Sequence, residues 1–222
     1  VRRLFKGQVV RFDPQELEIE LFWDFSAPEQ LQDFTAKGKP RAEDGHCVLP
    51  PDSALTLKAA FRPQLRVGSQ WKLRSGGNFG ISTFAPGDDI KLYWSDSNMA
   101  LWRGKGSAVA TQSVPVAEIV VASRKYEVVA GGRSVLGPQA ISWREVHLGL
   151  YSVRATVAFD SLRATGALRR SWLDAALRKA SLPGLPPPPE GQGTGLLGEY
   201  FSGANFDKPV LTREDPEICF HW

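Results

Sequence analysis

Three glutamates, Glu16, Glu18 and Glu20, alternate with Leu17, Ile19 and Leu21. Side chains alternate in an extended chain, so the three carboxylates leave the same side of one strand. Acids crowded in this way raise at least one carboxyl pKa and could supply the acid and the nucleophile of glycoside hydrolysis. A simpler account is the solvent face of a half-buried strand whose apolar partners turn inward, and that account is preferred.

Aromatic residues offer a second chemistry. Trp71, Tyr93, Trp94, Trp102 and Trp143 are enough for a platform on which flat sugar faces could stack. The candidates for ligand contact are Trp102, Tyr93 and Trp94. Tyr93 and Trp94 are neighbours, so in a strand at most one of them faces a core. Trp102 falls in a loop-like stretch, residues 98–104, which favours an exposed ring.

Asp88, Asp89, Asp96 and Asn98 carry the oxygen donors that a loop calcium would take, and calcium is the one cofactor they suggest. Their spacing matches no calcium loop, so turn chemistry is the preferred reading. His46, His147 and His221 are dispersed and compose no metal motif. Gly76-Gly77 and Gly131-Gly132 read as turn glycines, with no helix after either to cradle a phosphate. The two cysteines, Cys47 and Cys219, are too few for a disulfide framework or a thiolate zinc site, and buried free thiols are expected.

These groups need a scaffold. The chain has 222 residues, 42% of them hydrophobic, with seven Trp and twelve Phe, which is enough for a real core. A net charge of +3, with basic residues scattered, argues against a nucleic-acid partner. No apolar run approaches the ~20 residues of a membrane-spanning helix. Short strand-like runs recur at 7–12, 17–23, 45–49, 54–61, 70–73, 79–84, 90–94, 117–122, 125–130, 146–151 and 155–162, separated by Gly, Pro, Asp and Ser turns. Residues 26–32 read as one helical turn capped by Ser26, with Pro28 in its first turn. The pattern predicts an all-β fold, two antiparallel sheets packed as a sandwich.

The periodicity changes at Arg169. Residues 171–180 form an amphipathic helix with Ser171 as its cap and Trp172, Leu173, Ala176 and Leu177 on one face. Residues 182–194, rich in Pro and then Gly, read as a linker. The expected organisation is therefore a β-sandwich over 1–168, a helix over 169–181, a linker over 182–194 and a further segment over 195–222.

Particular strings carry resemblances. Phe22-Trp-Asp-Phe-Ser-Ala-Pro-Glu-Gln-Leu-Gln-Asp-Phe34, the hairpin-like Glu43-Asp-Gly-His46, Gly76-Gly-Asn-Phe-Gly-Ile81, the hairpin 125–135 and the strand pair 146–152 and 157–163 follow one another in a telling order. In these the first 165 residues resemble the concanavalin A-like (laminin-G-like) jelly-roll superfamily, and most its bacterial branch with 3-keto-glucoside hydrolase-like domains. Ala130-Gly131-Gly132 stands where that branch usually has Asn-Gly. Gly195-Leu-Leu-Gly-Glu-Tyr-Phe201, Asn205-Phe206 and the stretch from Leu211 to Trp222 resemble the first strands of the anthrax protective-antigen amino-terminal type β-sandwich. That family's calcium-binding Asp pair has no counterpart among those residues.

The resemblances imply a noncatalytic module for carbohydrate or glycoconjugate recognition, or for adhesion, within a larger extracellular or cell-surface bacterial protein. The alternatives are a glycoside hydrolase working through Glu16, Glu18 and Glu20, or a purely structural domain. The expected partner is a glycan, with no nucleic acid.

Overall fold

The computed structural model describes residues 1–95, 98–104, 109–112, 117–122, 124–181, 196–202 and 208–215. The chain divides into two units, Val1–Ser181 and Leu182–Trp222.

The first unit begins with a 3-10 turn, Arg2–Leu4, and a hairpin of β1 (Gln8–Asp13) and β2 (Glu18–Trp23). The Asp13 carboxylate accepts the amides of Gln15 and Glu16 at 2.8 and 3.3 Å, closing the Asp-Pro turn with its own side chain. A second 3-10 turn, Pro28–Asp33, leads into β3 (Phe34–Lys37). Ser26 does not cap this turn. Ala27 holds the cap position, while the Ser26 hydroxyl donates to Asp24 at 2.8 Å.

There follow β4 (Arg41–Glu43), β5 (His46–Leu49), β6 (Ala54–Leu57) and β7 (Phe61–Ser75). The pattern predicts only residues 70–73 of β7, because Pro63 and alternating Arg and Gln obscure its first half. Pro63 falls in a register shift against the partner strand, where its missing N–H removes no ladder bond. Next come β8 (Asn78–Ala85), β9 (Asp88–Trp94), β10 (Asn98–Arg103), β11 (Val109–Gln112), β12 (Glu118–Ala122), β13 (Lys125–Ala130), β14 (Arg133–Ala140), β15 (His147–Val153) and β16 (Thr156–Leu168). Gly131 and Gly132, at φ 55° and 78°, make the tight turn between β13 and β14.

Two antiparallel sheets result. One runs β1-β2-β16-β7-β12-β13-β14, with β5 also on β16 and β4 on β5; the other runs β11-β10-β9-β8-β15-β6-β3. This is the expected two-sheet sandwich. Period-2 burial drives it: in β2 Ile19, Leu21 and Trp23 turn inward while Glu18, Glu20 and Phe22 turn out. Between the sheets the Phe79 ring meets Trp71 at 4.5 Å, Trp94 at 6.0 Å and Phe159 at 6.3 Å, and each fully buried ring contributes about 1.5–3 kcal/mol.

The helix α1 (Arg170–Ser181) starts one residue earlier than the pattern implies, with Leu173 donating its amide to the Arg169 carbonyl at 3.0 Å. Ser171 therefore lies inside the helix. Leu173 is buried and Trp172 packs on Phe5 at 5.8 Å, but Leu177 is 38% exposed, so the apolar face is narrower than expected. In the second unit β17 (Leu196–Ser202) pairs antiparallel with β18 (Lys208–Asp215). The predicted linker 182–194 lies outside the described residues.

Candidate functional site

The outward face of the seven-stranded sheet collects the remaining chemistry. Alternation in β9 sends Ile90, Leu92 and Trp94 to the core and Asp89, Lys91 and Tyr93 to the outside. Register then fixes their neighbours. Lys91 stands opposite Trp102 of β10 and Ser82 of β8, Tyr93 opposite Ala100 and Gly80, and Asp89 opposite Phe84. On β15, His147 faces Phe84, Gly149 faces Ser82 and Tyr151 faces Gly80.

The floor of this face is made of small residues with aromatic rings set into it. Strands β8 and β9 approach so closely at Gly80 that a Cβ would collide with the Leu92 carbonyl and the Tyr93 backbone. Tyr151 reaches across Gly80, its hydroxyl donating to the Leu92 carbonyl at 3.3 Å, and burial pushes the phenol well above its ordinary value. Trp102 is 42% exposed and its indole N–H donates to the Gly104 carbonyl at 2.7 Å, which fixes the ring without covering it. A cleft of 420 Å³ opens along β8 and β9, lined by Ser82, Phe84, Asp88, Asp89 and Lys91 among others.

Charge on this face is organised in pairs. Lys91 Nζ lies 2.6 Å from Asp89 Oδ2. Asp88 turns the other way and is held by Arg103 at 3.0 and 2.7 Å and by the Trp143 indole at 2.7 Å. The Arg103 hydrogen bonds, with that of Trp143 and against the cost of burial, keep its carboxyl below the usual carboxylate value. At the margin His147 stacks on Phe84 with centroids 5.3 Å apart, and its Nε2 lies 3.4 Å from Glu145.

Of the aromatic candidates, Tyr93 and Trp102 reach this face. Trp94 requires correction: it is 1% exposed, stacked on Phe79 at 6.0 Å and near Trp71 at 5.5 Å inside the sandwich, where no sugar can reach it. Trp102 also stands on a strand rather than the expected loop, because β10 continues the alternation of Met99 and Leu101 into the core.

The acidic strand lies elsewhere. Glu18 and Glu20 face outward from the nine-stranded sheet and Glu16 occupies the preceding turn. Each has an arginine: Glu16 Oε2 at 4.0 Å from Arg62, Glu18 at 3.7 Å from Arg11, and Glu20 bonded to Arg163. Of the oxygen donors, Asp88 and Asp89 point to opposite sides of β9 and are already occupied by Arg103 and Lys91; Asp96 lies outside the described residues. Among the described residues no three of His, Cys, Asp and Glu gather closely enough to hold a metal ion.

The sequence does not single out Ser82, Phe84, Lys91 or Tyr151, and it offers Asp89 and His147 only as metal donors. Lys91 was within reach, since it shares Tyr93's parity along one strand. The others join the face only through cross-strand register, which no local pattern encodes.

No protein-family model matches the chain, and no curated protein matches it. Solved structures are similar in shape. A Crh5 transglycosylase in complex with NAG superposes with a TM-score of 0.55 at 10% identity, over 72% of this chain and 86% of that one. The kappa-carrageenase from Pseudoalteromonas carrageenovora, complexed with an oligotetrasaccharide of kappa-carrageenan, gives 0.50 at 8% identity over 72% and 98%. A Bacteroides ovatus xyloglucan PUL GH43B gives 0.50 at 12% identity over 69% and 40%. At such identities the likeness is one of fold: the first unit is a two-sheet jelly-roll sandwich like theirs.

Proposed function

We propose that the outward face of the seven-stranded sheet binds carbohydrate without cleaving it, and that the chain is a glycan-recognition or adhesion module of a larger extracellular bacterial protein. The observation that carries this reading is Trp102: a large, exposed ring, fixed by its own hydrogen bond, beside Lys91 and one strand from Tyr93. Rings of this kind take the apolar face of a pyranose, while Lys91, Asp89 and Ser82 offer polar partners to hydroxyls. The fold likeness to sugar-bound proteins is consistent with it.

Catalysis is not favoured on this face. Glycoside hydrolysis needs one carboxyl with a raised pKa beside a second that stays ionised. Asp88 is shifted in the opposite direction by Arg103, and Asp89 is paired with Lys91. Glu16, Glu18 and Glu20 sit at the other sheet beside arginines. In this reading the hairpin of β17 and β18 belongs to the start of a protective-antigen-type sandwich.

A glycan array probed with the purified 222-residue chain tests the proposal. A set of related glycans should bind, and Trp102→Ala and Tyr93→Ala should each weaken those hits at least tenfold. An array without hits, or hits indifferent to both substitutions, would leave a purely structural role.

A further inference from the structure

A second cleft lies within the first unit, away from the sheet face just described. Its volume is 530 Å³, inside the range of about 300–1,000 Å³ in which small ligands are held. It opens where the amino-terminal turn and the end of the second 3-10 turn meet α1. Its floor is apolar and aromatic: Phe5 and Trp172 lie 5.8 Å apart with their planes inclined at 34°, beside Ala59 and Ala176. Trp172 is half-buried, so part of its ring is open.

The walls carry Arg3, Lys6, Lys58 and Lys179, all exposed. None of the four forms an ion pair with a described carboxylate; the Lys58 ammonium donates to the Gln32 carbonyl at 2.7 Å. The acid in the lining is Asp33, and its oxygens are already occupied. They accept the amides of Lys6 at 2.8 and 3.0 Å and of Gly7 at 2.8 Å, and the Trp23 indole N–H at 2.8 Å. Four cations therefore converge on an apolar floor with their local carboxylate committed inward. Such a concave site focuses positive potential onto whatever enters.

We infer that this cleft binds an acidic saccharide: a short uronate-bearing glycan segment whose carboxylates meet Arg3, Lys6 and Lys179 while one sugar face packs on Trp172. Charge complementarity calls for an anion, and the open indole calls for a flat apolar face on the same ligand. The choice of saccharide over another anionic amphiphile rests on the carbohydrate reading above. The site itself rests on the cleft and on cations that pair with no described carboxylate. The expected complex is salt-sensitive, because the cations are exposed and screened charges lose their reach.

The test is calorimetric titration of the full chain with tetragalacturonate and with its carboxyl-reduced, neutral counterpart. Tetragalacturonate should bind, and the reduced form at least tenfold more weakly. Raising salt from about 0.05 to about 0.5 M should weaken the acid form alone, as the Debye length shortens. Arg3→Glu and Lys179→Glu, both on exposed positions that leave the core intact, should each cost at least tenfold. Trp102→Ala should leave this binding unchanged, which separates the inference from the proposal for the sheet face. If tetragalacturonate does not bind, or binding ignores both charge reversals or is lost with Trp102→Ala, the inference is overturned. Tighter binding of decanoate or of a polyglutamate peptide than of tetragalacturonate would overturn the assignment of the ligand.

Discussion

Arg103 grips Asp88 in a fork, Nε to Oδ1 at 3.0 Å and Nη2 to Oδ2 at 2.7 Å, and its third nitrogen donates to the Ala140 carbonyl at 2.7 Å. One side chain thus ties the start of β9 to the end of β10 and both to the end of β14. Of the strands joined in this way, β9 and β10 present Lys91, Tyr93 and Trp102, so the clamp braces one end of the ladder that spaces the proposed binding rings.

Asp88→Asn should destabilise the first unit by about 1–2 kcal/mol at neutral pH, since it leaves Arg103 without its partner at a half-exposed site. The folded-state pKa of Asp88 is lowered from 3.8, so its contribution is present above that value and is lost as pH falls through the lower folded one. The difference between parent and variant should be constant near neutrality and shrink below about pH 4. Urea denaturation across that range checks it; a gap that widens with acid contradicts it.

Asp33→Ala should cost more. It would strip the acceptor from two backbone amides and from the Trp23 indole, which is fully buried. A loss of about 2–4 kcal/mol is expected, with Asp33→Asn recovering part of it by keeping one carbonyl oxygen. Equal stability of the alanine variant in chemical denaturation would refute this account.

Cys47 should be inert in the native protein. It is fully buried, and desolvation pushes its thiol up to about 12, so no thiolate forms near pH 8. Alkylation followed by mass mapping should find Cys47 protected until denaturant is added. Rapid native labelling at that residue would show the sandwich opens there.

Replacing Glu16, Glu18 and Glu20 together by Gln should leave any glycan binding unchanged. Stability should shift by no more than about 1 kcal/mol, the scale of exposed ion pairs. Loss of binding, or loss of a hydrolytic activity detected in the parent chain, would revive the acidic strand as a functional element.

The sequence by itself determined the alternation of β2 and the strand character of the runs that became β8, β9 and β15, because apolar spacing is a local property that hydrophobic residues write directly. From the strand runs came the sandwich, and from the change of period at Arg169 the helix that closes the first unit; alternation also meant that Tyr93 and Trp94 take opposite faces, without saying which. It obscured β10, where Trp102 and Arg103 resemble a polar loop until Met99 and Leu101 are paired with Trp94 and Leu92. It also masked β7, whose Pro63 and basic residues hide a strand that two neighbours hold in place.

Tertiary structure alone decided which side chains meet. Lys91 beside Trp102, Tyr151 across Gly80 and Arg103 around Asp88 all depend on inter-strand register. The cleft at Trp172 depends on how α1 docks against the amino-terminal turn. The physical reason is range. Alternation is set by each residue's immediate neighbours, whereas register and docking are settled by the whole core finding one arrangement that buries its rings together.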